Sequence, residues 1–167
     1  MKKLILILVL IPFNAFSTVV IVPAGGGGGG GNQNQVVMRG YNGLGSTNTK
    51  IVRFDSEDAG TGADFTVAQS VANGDSITIG TTGFYCVAFT GTTSGANAYG
   101  VSVNSSELTT NIQSITSTDI FVYASSNGGG VSATRCAQLS ASDVLRAHTA
   151  GTAMTDAGTT FTVVRID

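Results

Sequence analysis

The chain has 167 residues with 42% hydrophobic and only 11% charged side chains, and a formal net charge of −2. That length fits one domain with short additions. Without Lys2 and Lys3, six basic and ten acidic side chains remain, net −4, so no cationic cluster is left for a phosphate backbone and nucleic-acid binding is excluded.

Charged residues stand far below the usual quarter or so of a soluble protein. The polar surface must come from Ser, Thr, Asn and Gly, which suit strands and turns better than helices. Proline occurs only at Pro12 and Pro23, so nothing interrupts strand ladders in the long central region.

In chain order, Met1–Ser17 comes first. Lys2 and Lys3 precede an unbroken apolar run from Leu4 to Ile11, and Ala15-Phe16-Ser17 forms a small-x-small cleavage pattern. These features predict a secretory signal peptide over 1–17. The apolar core is too short for the roughly 20 residues of a membrane span, so no stable span is expected after processing. Residues 18–35 follow as an apolar segment, Thr18–Ala24, then seven glycines, Gly25–Gly31, and an Asn/Gln stretch. A glycine run has maximal backbone freedom and reads as a linker. The alternatives are strand donation by Thr18–Ala24 and polyglycine packing between chains.

From 36 to 167 the pattern changes to apolar residues at every second position, punctuated by turn residues, which describes half-buried strands. The spacing predicts about ten strands: 36–41, 49–54, 64–69, 75–79, 83–90, 98–104, 119–124, 131–139, 143–149 and 159–166. Turns are expected at Asn73–Asp75, Gly80–Gly83, Gly91–Gly95, Asn127–Gly130 and Gly151–Gly158. Short strands without helices leave an all-β sandwich or barrel.

Four stretches then fall in a telling order: Gly83-Phe84-Tyr85-Cys86-Val87-Ala88-Phe89; Val101-Ser102-Val103-Asn104; Leu139-Ser140-Ala141-Ser142-Asp143-Val144-Leu145; and Thr160-Phe161-Thr162-Val163. Together they resemble a C1q/TNF-like jelly roll over Arg39–Asp167. Gly45–Phe54 with His148–Thr152 also resembles C1q-like modules of phage tail proteins and secreted bacterial proteins. Ser142 stands where that pattern has Gly before the Asp. The resemblance implies an all-β, two-sheet jelly-roll sandwich and assembly as a trimer.

Cys86 and Cys136 are the only cysteines. An even count behind a signal peptide predicts a disulfide, the alternative being two small unpaired hydrophobes. Alternation places Tyr85, Val87 and Phe89 inward and Cys86 outward, and turns Leu139 inward with Cys136 opposite. The resemblance implies that the two strands are neighbours in one sheet, so the thiols meet on its outer face.

Candidate chemistry is sparse. His148 is the only histidine and lies on a strand with Arg146 on its face and Leu145 and Ala147 on the other, which predicts a surface or edge-strand residue. No serine sits in a G-x-S-x-G elbow. Asp55, Glu57, Asp58 and Asp64 form an acidic cluster read as a solvated loop; as oxygen donors they are also a Ca²⁺ candidate, without EF-hand order. No other metal or cofactor is expected. Asn104-Ser105-Ser106 matches a glycosylation sequon but reads first as a hairpin-closing turn. Thr92, Ser94, Asn97, Ser126 and Asn127 mark Gly-rich loops suited to a shallow glycan or protein contact.

The combined expectation is a secreted, non-enzymatic structural or adhesive module that self-associates. The alternatives are a phage tail-fibre or decoration head binding a host surface, and a hydrolase on cell-surface polymers, which one histidine and no paired carboxylates disfavour.

Overall fold

The computed structural model describes residues 34–59, 63–151 and 154–167. The expected signal peptide at 1–17, the apolar segment at 18–24 and the glycine run lie outside the described residues. Eight antiparallel strands are found among the described residues: β1 (Gln35–Leu44), β2 (Val52–Ala59), β3 (Phe65–Ala68), β4 (Ser76–Ile79), β5 (Gly83–Val103), β6 (Ile120–Leu139), β7 (Val144–Thr149) and β8 (Met154–Arg165). Two short 3₁₀ turns, Ile112–Ser114 and Ser117–Asp119, lie between β5 and β6. Among the described residues no helix is long and apolar enough to cross a membrane.

The strands form a jelly-roll sandwich. One layer runs β2-β1-β8-β5, and the other runs β5-β7-β4-β3, with β6 along the free side of β5. The two layers share β5. Its first half pairs with β8 from Tyr85 to Thr93, and its second half pairs with β7 from Tyr99 to Val103. β6 follows β5 along nearly its whole length, from Gly83↔Leu139 to Ser102↔Ile120.

In this long ribbon four of the ten expected strands run together into two: 83–90 with 98–104 as β5, and 119–124 with 131–139 as β6. The glycine clusters at Gly91–Gly95 and Asn127–Gly130 fold the ribbon over without ending either strand. They sit inside β5 and β6, where the ladder shifts register between Thr93 and Ala96, and Gly128 and Gly129 adopt φ of 113° and 90°. Glycine provides the backbone freedom for a bulge that carries the ribbon from one layer into the other. The bend brings residues of one strand together: the Arg135 guanidinium lies 5.1 Å from the Phe121 ring centroid and donates from Nη1 to the Phe121 carbonyl at 2.9 Å. The segment 104–119 connects β5 to β6.

Between the layers lies one apolar core. Tyr85, Val87 and Phe89 are fully buried, as alternation requires, with Met38, Phe54, Ile77, Leu145 and Phe161. Aromatic pairs link the layers: Phe65 of β3 meets Tyr85 of β5 edge-on at 5.8 Å between centroids, and Phe89 stacks on Tyr99 at 6.2 Å. Such pairs add about 0.5–1.5 kcal/mol each beyond the area they bury.

A smaller apolar cluster lies on the opposite side of the second layer. Ala98, Ile112 and Ile115 form it, with Ile120 and Ala150 packed against them. The segment 104–119 thus lies across the outer face of β5 and β7 and gives that face its own core.

Candidate functional site

Cys86 and Cys136 are joined in a disulfide, directly opposite each other in the β5–β6 ladder with Cα atoms 4.0 Å apart. The bond lies on the outer face of the first layer. Beside it, Phe84 is 39% exposed and Ile166 43% exposed, and the Ile166 N–H donates to the Phe84 carbonyl at 3.0 Å. Val164 pairs with Cys86 on the same face. The face carrying Phe84, Cys86 and Ala88 therefore gains Val164 and Ile166, whose contribution the strand pattern did not reveal.

The acidic residues do not converge. Asp55, Glu57 and Asp58 lie on strand β2 rather than in a loop, because β2 extends the ladder with β1 through Tyr41↔Phe54 to Val36↔Ala59. Asp58 pairs with Arg39 at 3.3 Å, and Asp64 pairs with Arg165 at 2.8 Å on the side of β3. Among the described residues no group of three His, Cys, Asp or Glu side chains is placed to hold a metal ion.

Asn104 has φ of 53° and both ends of its amide are occupied. Nδ2 donates to Asp143 Oδ1 at 2.7 Å and Oδ1 accepts the Val144 N–H at 2.8 Å. These two bonds close the turn expected at this sequon.

His148 is neither on the surface nor on an edge strand. It is fully buried on β7, which lies between β5 and β4, and it forms a bridge with Ile51. The segment 104–119 covers the outward face of β7, and this cover is why alternation misplaced the residue. Nε2 lies 2.7 Å from the Thr110 carbonyl. A carbonyl only accepts, so Nε2 carries the proton and Nδ1 is bare. Nδ1 is buried without a hydrogen-bond partner among the described residues. Burial is the main cause that lowers the imidazole pKa; Lys50 and Arg146 add to it, while the Thr110 bond and Glu107 oppose it.

The same segment builds one wall of an open groove of about 450 Å³, within the roughly 300–1,000 Å³ range of small-ligand clefts. β5 contributes Ala96, Asn97 and Ala98, and β6 contributes Ser125, Ser126 and Asn127. Asn111 and Gln113 come from the covering segment, and Ala150 and Gly151 from the turn after β7. None of the described lining residues is ionisable. The walls offer amide and hydroxyl donors and acceptors above small apolar side chains.

Three residues expected in binding loops, Asn97, Ser126 and Asn127, meet here. Thr92 and Ser94 do not line the groove; Thr92 is within the ladder, opposite Gly130. Asn111 and Gln113 were not legible as site residues. Their only sequence signal is a polar stretch between two strands.

The groove is held from below. Lys50 Nζ donates to the Ala150 carbonyl at 2.9 Å, and the Lys50 N–H donates to the Leu108 carbonyl at 3.2 Å. Thr149 Oγ1 closes the turn on Gly151, donating to its carbonyl at 2.7 Å and accepting its N–H at 3.0 Å. Glu107 accepts the Thr116 N–H at 2.6 Å and so closes the loop of the covering segment on itself.

No family model matches the sequence, and no curated protein matches it either. Solved structures do. Two crystal structures of murine APRIL, at pH 8.0 and pH 8.5, align with TM-scores of 0.54 and 0.53, each at 11% identity over 79% of this chain and 98% of that one. The domain is a TNF/C1q-like jelly roll. A crystal structure of rabbit GITRL aligns with a TM-score of 0.47, at 8% identity over 63% of this chain and 78% of that one. At these identities the likeness concerns the fold. In this jelly roll the shared ribbon β5–β6 carries both the disulfide in one layer and two walls of the groove in the other.

Proposed function

We propose that this TNF-like jelly roll is a secreted, non-enzymatic adhesive head that self-associates as a trimer and offers its groove to neutral cell-surface glycans. The observation that carries the reading is the groove whose described lining consists of uncharged amide, hydroxyl and small apolar groups. Such a lining can exchange hydrogen bonds with hydroxyl-rich ligands without desolvating a charge. The exposed Phe84 and Ile166 beside the disulfide support self-association, since a sheet face meant for water rarely keeps two large apolar side chains together.

A non-enzymatic role is supported by the position of His148. Its ring is buried and its Nε2–H is committed to a backbone carbonyl, so it is not available as a general base. Binding of neutral oligosaccharides by the secreted chain, weakened at least tenfold in N97A/N127A with an unchanged melting temperature, is the expected result. Equal binding by the variant overturns the groove reading.

The second reading is a virion head. Gly45–Phe54 and His148–Thr152, the stretches that resemble phage modules, are adjacent: Ile51 bridges His148 and the Thr149 N–H donates to the Lys50 carbonyl at 2.9 Å. Amino-terminal sequencing separates the two. A secreted product beginning after Ser17 favours the adhesive head, whereas an intact leader on an intracellular product favours the virion component.

A further inference from the structure

We propose that His148 is a proton-operated latch that holds segment 104–119 over the second layer and, through it, the Asn111–Gln113 wall of the groove. The effect on the groove's ligand rests on the binding reading above. The latch itself stands on geometry.

The histidine lies beneath the segment, not beside it. Its Nε2–H donates to the Thr110 carbonyl at 2.7 Å, one residue before Asn111 enters the groove wall. Nδ1 is buried without an acceptor among the described residues. A second proton would therefore enter a site that provides nothing for it to bond.

The charged groups around the ring make that proton still less welcome. Lys50, which precedes β2, and Arg146, two residues away on β7, are both cationic and both disfavour an imidazolium. Glu107 of the covering segment is the opposing anion, but its carboxylate already accepts the Thr116 N–H. The closed segment thus selects neutral His148. Lifting the segment exposes the ring to water, where it regains an ordinary affinity for protons, so acid favours the open arrangement.

The segment is anchored at its start by the Asn104 bonds to Asp143 and Val144; beyond that hinge it is held by the Lys50–Leu108 backbone bond and the small cluster of Ile112 and Ile115 on Ala98, with Ile120 and Ala150. It can open without the main core, which is built from different residues between the layers. The direction is therefore release at low pH. The groove is whole at neutral pH and loses one wall on acidification.

The test needs no ligand, so its failure is distinct from failure of the glycan reading. Because the chain has a single histidine, its imidazole resonances are unambiguous in NMR, and amide exchange can be followed in the full secreted chain. Expected is an imidazole titrating below its free value of about 6.5. Amides of 107–115 should exchange through an opening far smaller than global unfolding. That opening should grow by up to tenfold per pH unit below about 6.5, after correction for intrinsic rates. H148Q, which keeps a donor for Thr110 but cannot titrate, should lose this dependence. I112A should open more at every pH yet retain it. Protection of 107–115 that is independent of pH, or that equals that of the β5 core amides around Val87, overturns the latch. So does an H148Q protein with the wild-type pH dependence.

Discussion

The Asp75 carboxylate accepts the Phe54 N–H at 2.7 Å inside the protein, and its other oxygen accepts the Ser70 N–H at 2.9 Å. Asp75 is 2% exposed. Burial raises its pKa, while the two N–H bonds and Arg53 partly offset that rise. The residue ties the start of β2, the edge strand of one layer, to the β3–β4 turn of the other. D75A leaves the buried Phe54 donor and the half-buried Ser70 donor unpaired and should cost about 2–3 kcal/mol in denaturant unfolding. D75N retains one acceptor and should cost less; equal stability of both variants and the wild type would refute this role.

The disulfide closes a loop of 50 residues across the β5–β6 ribbon. Restricting the unfolded chain by such a loop contributes on the order of 4 kcal/mol. C86A/C136A should lose up to that amount yet keep a strand-rich circular dichroism spectrum, because the ladder around the bond is complete without it. Two free thiols in denatured, unreduced secreted protein would contradict the bond.

Ser142, which stands where the C1q/TNF pattern has glycine, adopts φ of 77°. An L-residue pays roughly 1–2 kcal/mol for that left-handed conformation, part of which glycine returns through its freer unfolded chain. S142G should therefore stabilise the domain by about 0.5–1 kcal/mol, visible as a rise in the denaturation midpoint. A loss of stability would mean that the serine side chain compensates the strain.

Phe84 and Ile166 lie together on the outer face of the first layer. F84D/I166D should shift the sedimenting species of the mature chain from oligomer to monomer at micromolar concentration with little change in melting temperature. A monomeric wild type would remove self-association, and an oligomeric variant would move it to another surface.

Stability should fall in two acid windows. His148 has a lowered folded pKa, so the unfolded chain binds its proton more readily; stability is complete above about pH 6.5 and is lost as pH falls from there toward the folded value. Glu107 is also lowered, chiefly by the Thr116 N–H, so its contribution is present above about pH 4.5 and disappears below it. Thermal midpoints against pH should show both declines in the wild type. H148Q should retain the lower one alone.

Much of this architecture was legible before any coordinates. Two-residue alternation turned Tyr85, Val87 and Phe89 inward and left Cys86 opposite, because successive strand side chains point to opposite faces. The same rule failed at His148. Alternation names a side but cannot say what covers it, and here the cover is a segment of another part of the chain. Glycine clusters announced freedom of the backbone without saying whether it would be spent on a turn that ends a strand or a bulge within one; at Gly91–Gly95 and Asn127–Gly130 the partner strand decided for the bulge.

The groove illustrates the same division. Asn97, Ser126 and Asn127 were recognisable as loop-type polar residues, whereas Asn111, Gln113 and Gly151 became neighbours only when the segment 104–119 folded onto β5 and β7. Sequence alone determined the strand class and the inward faces, since these follow from local periodicity and composition, and it predicted the disulfide that the structure contains. The tertiary structure alone decided where the ribbon bends, what buries the single histidine and which polar residues share a cleft, since each depends on contacts between residues distant in the chain.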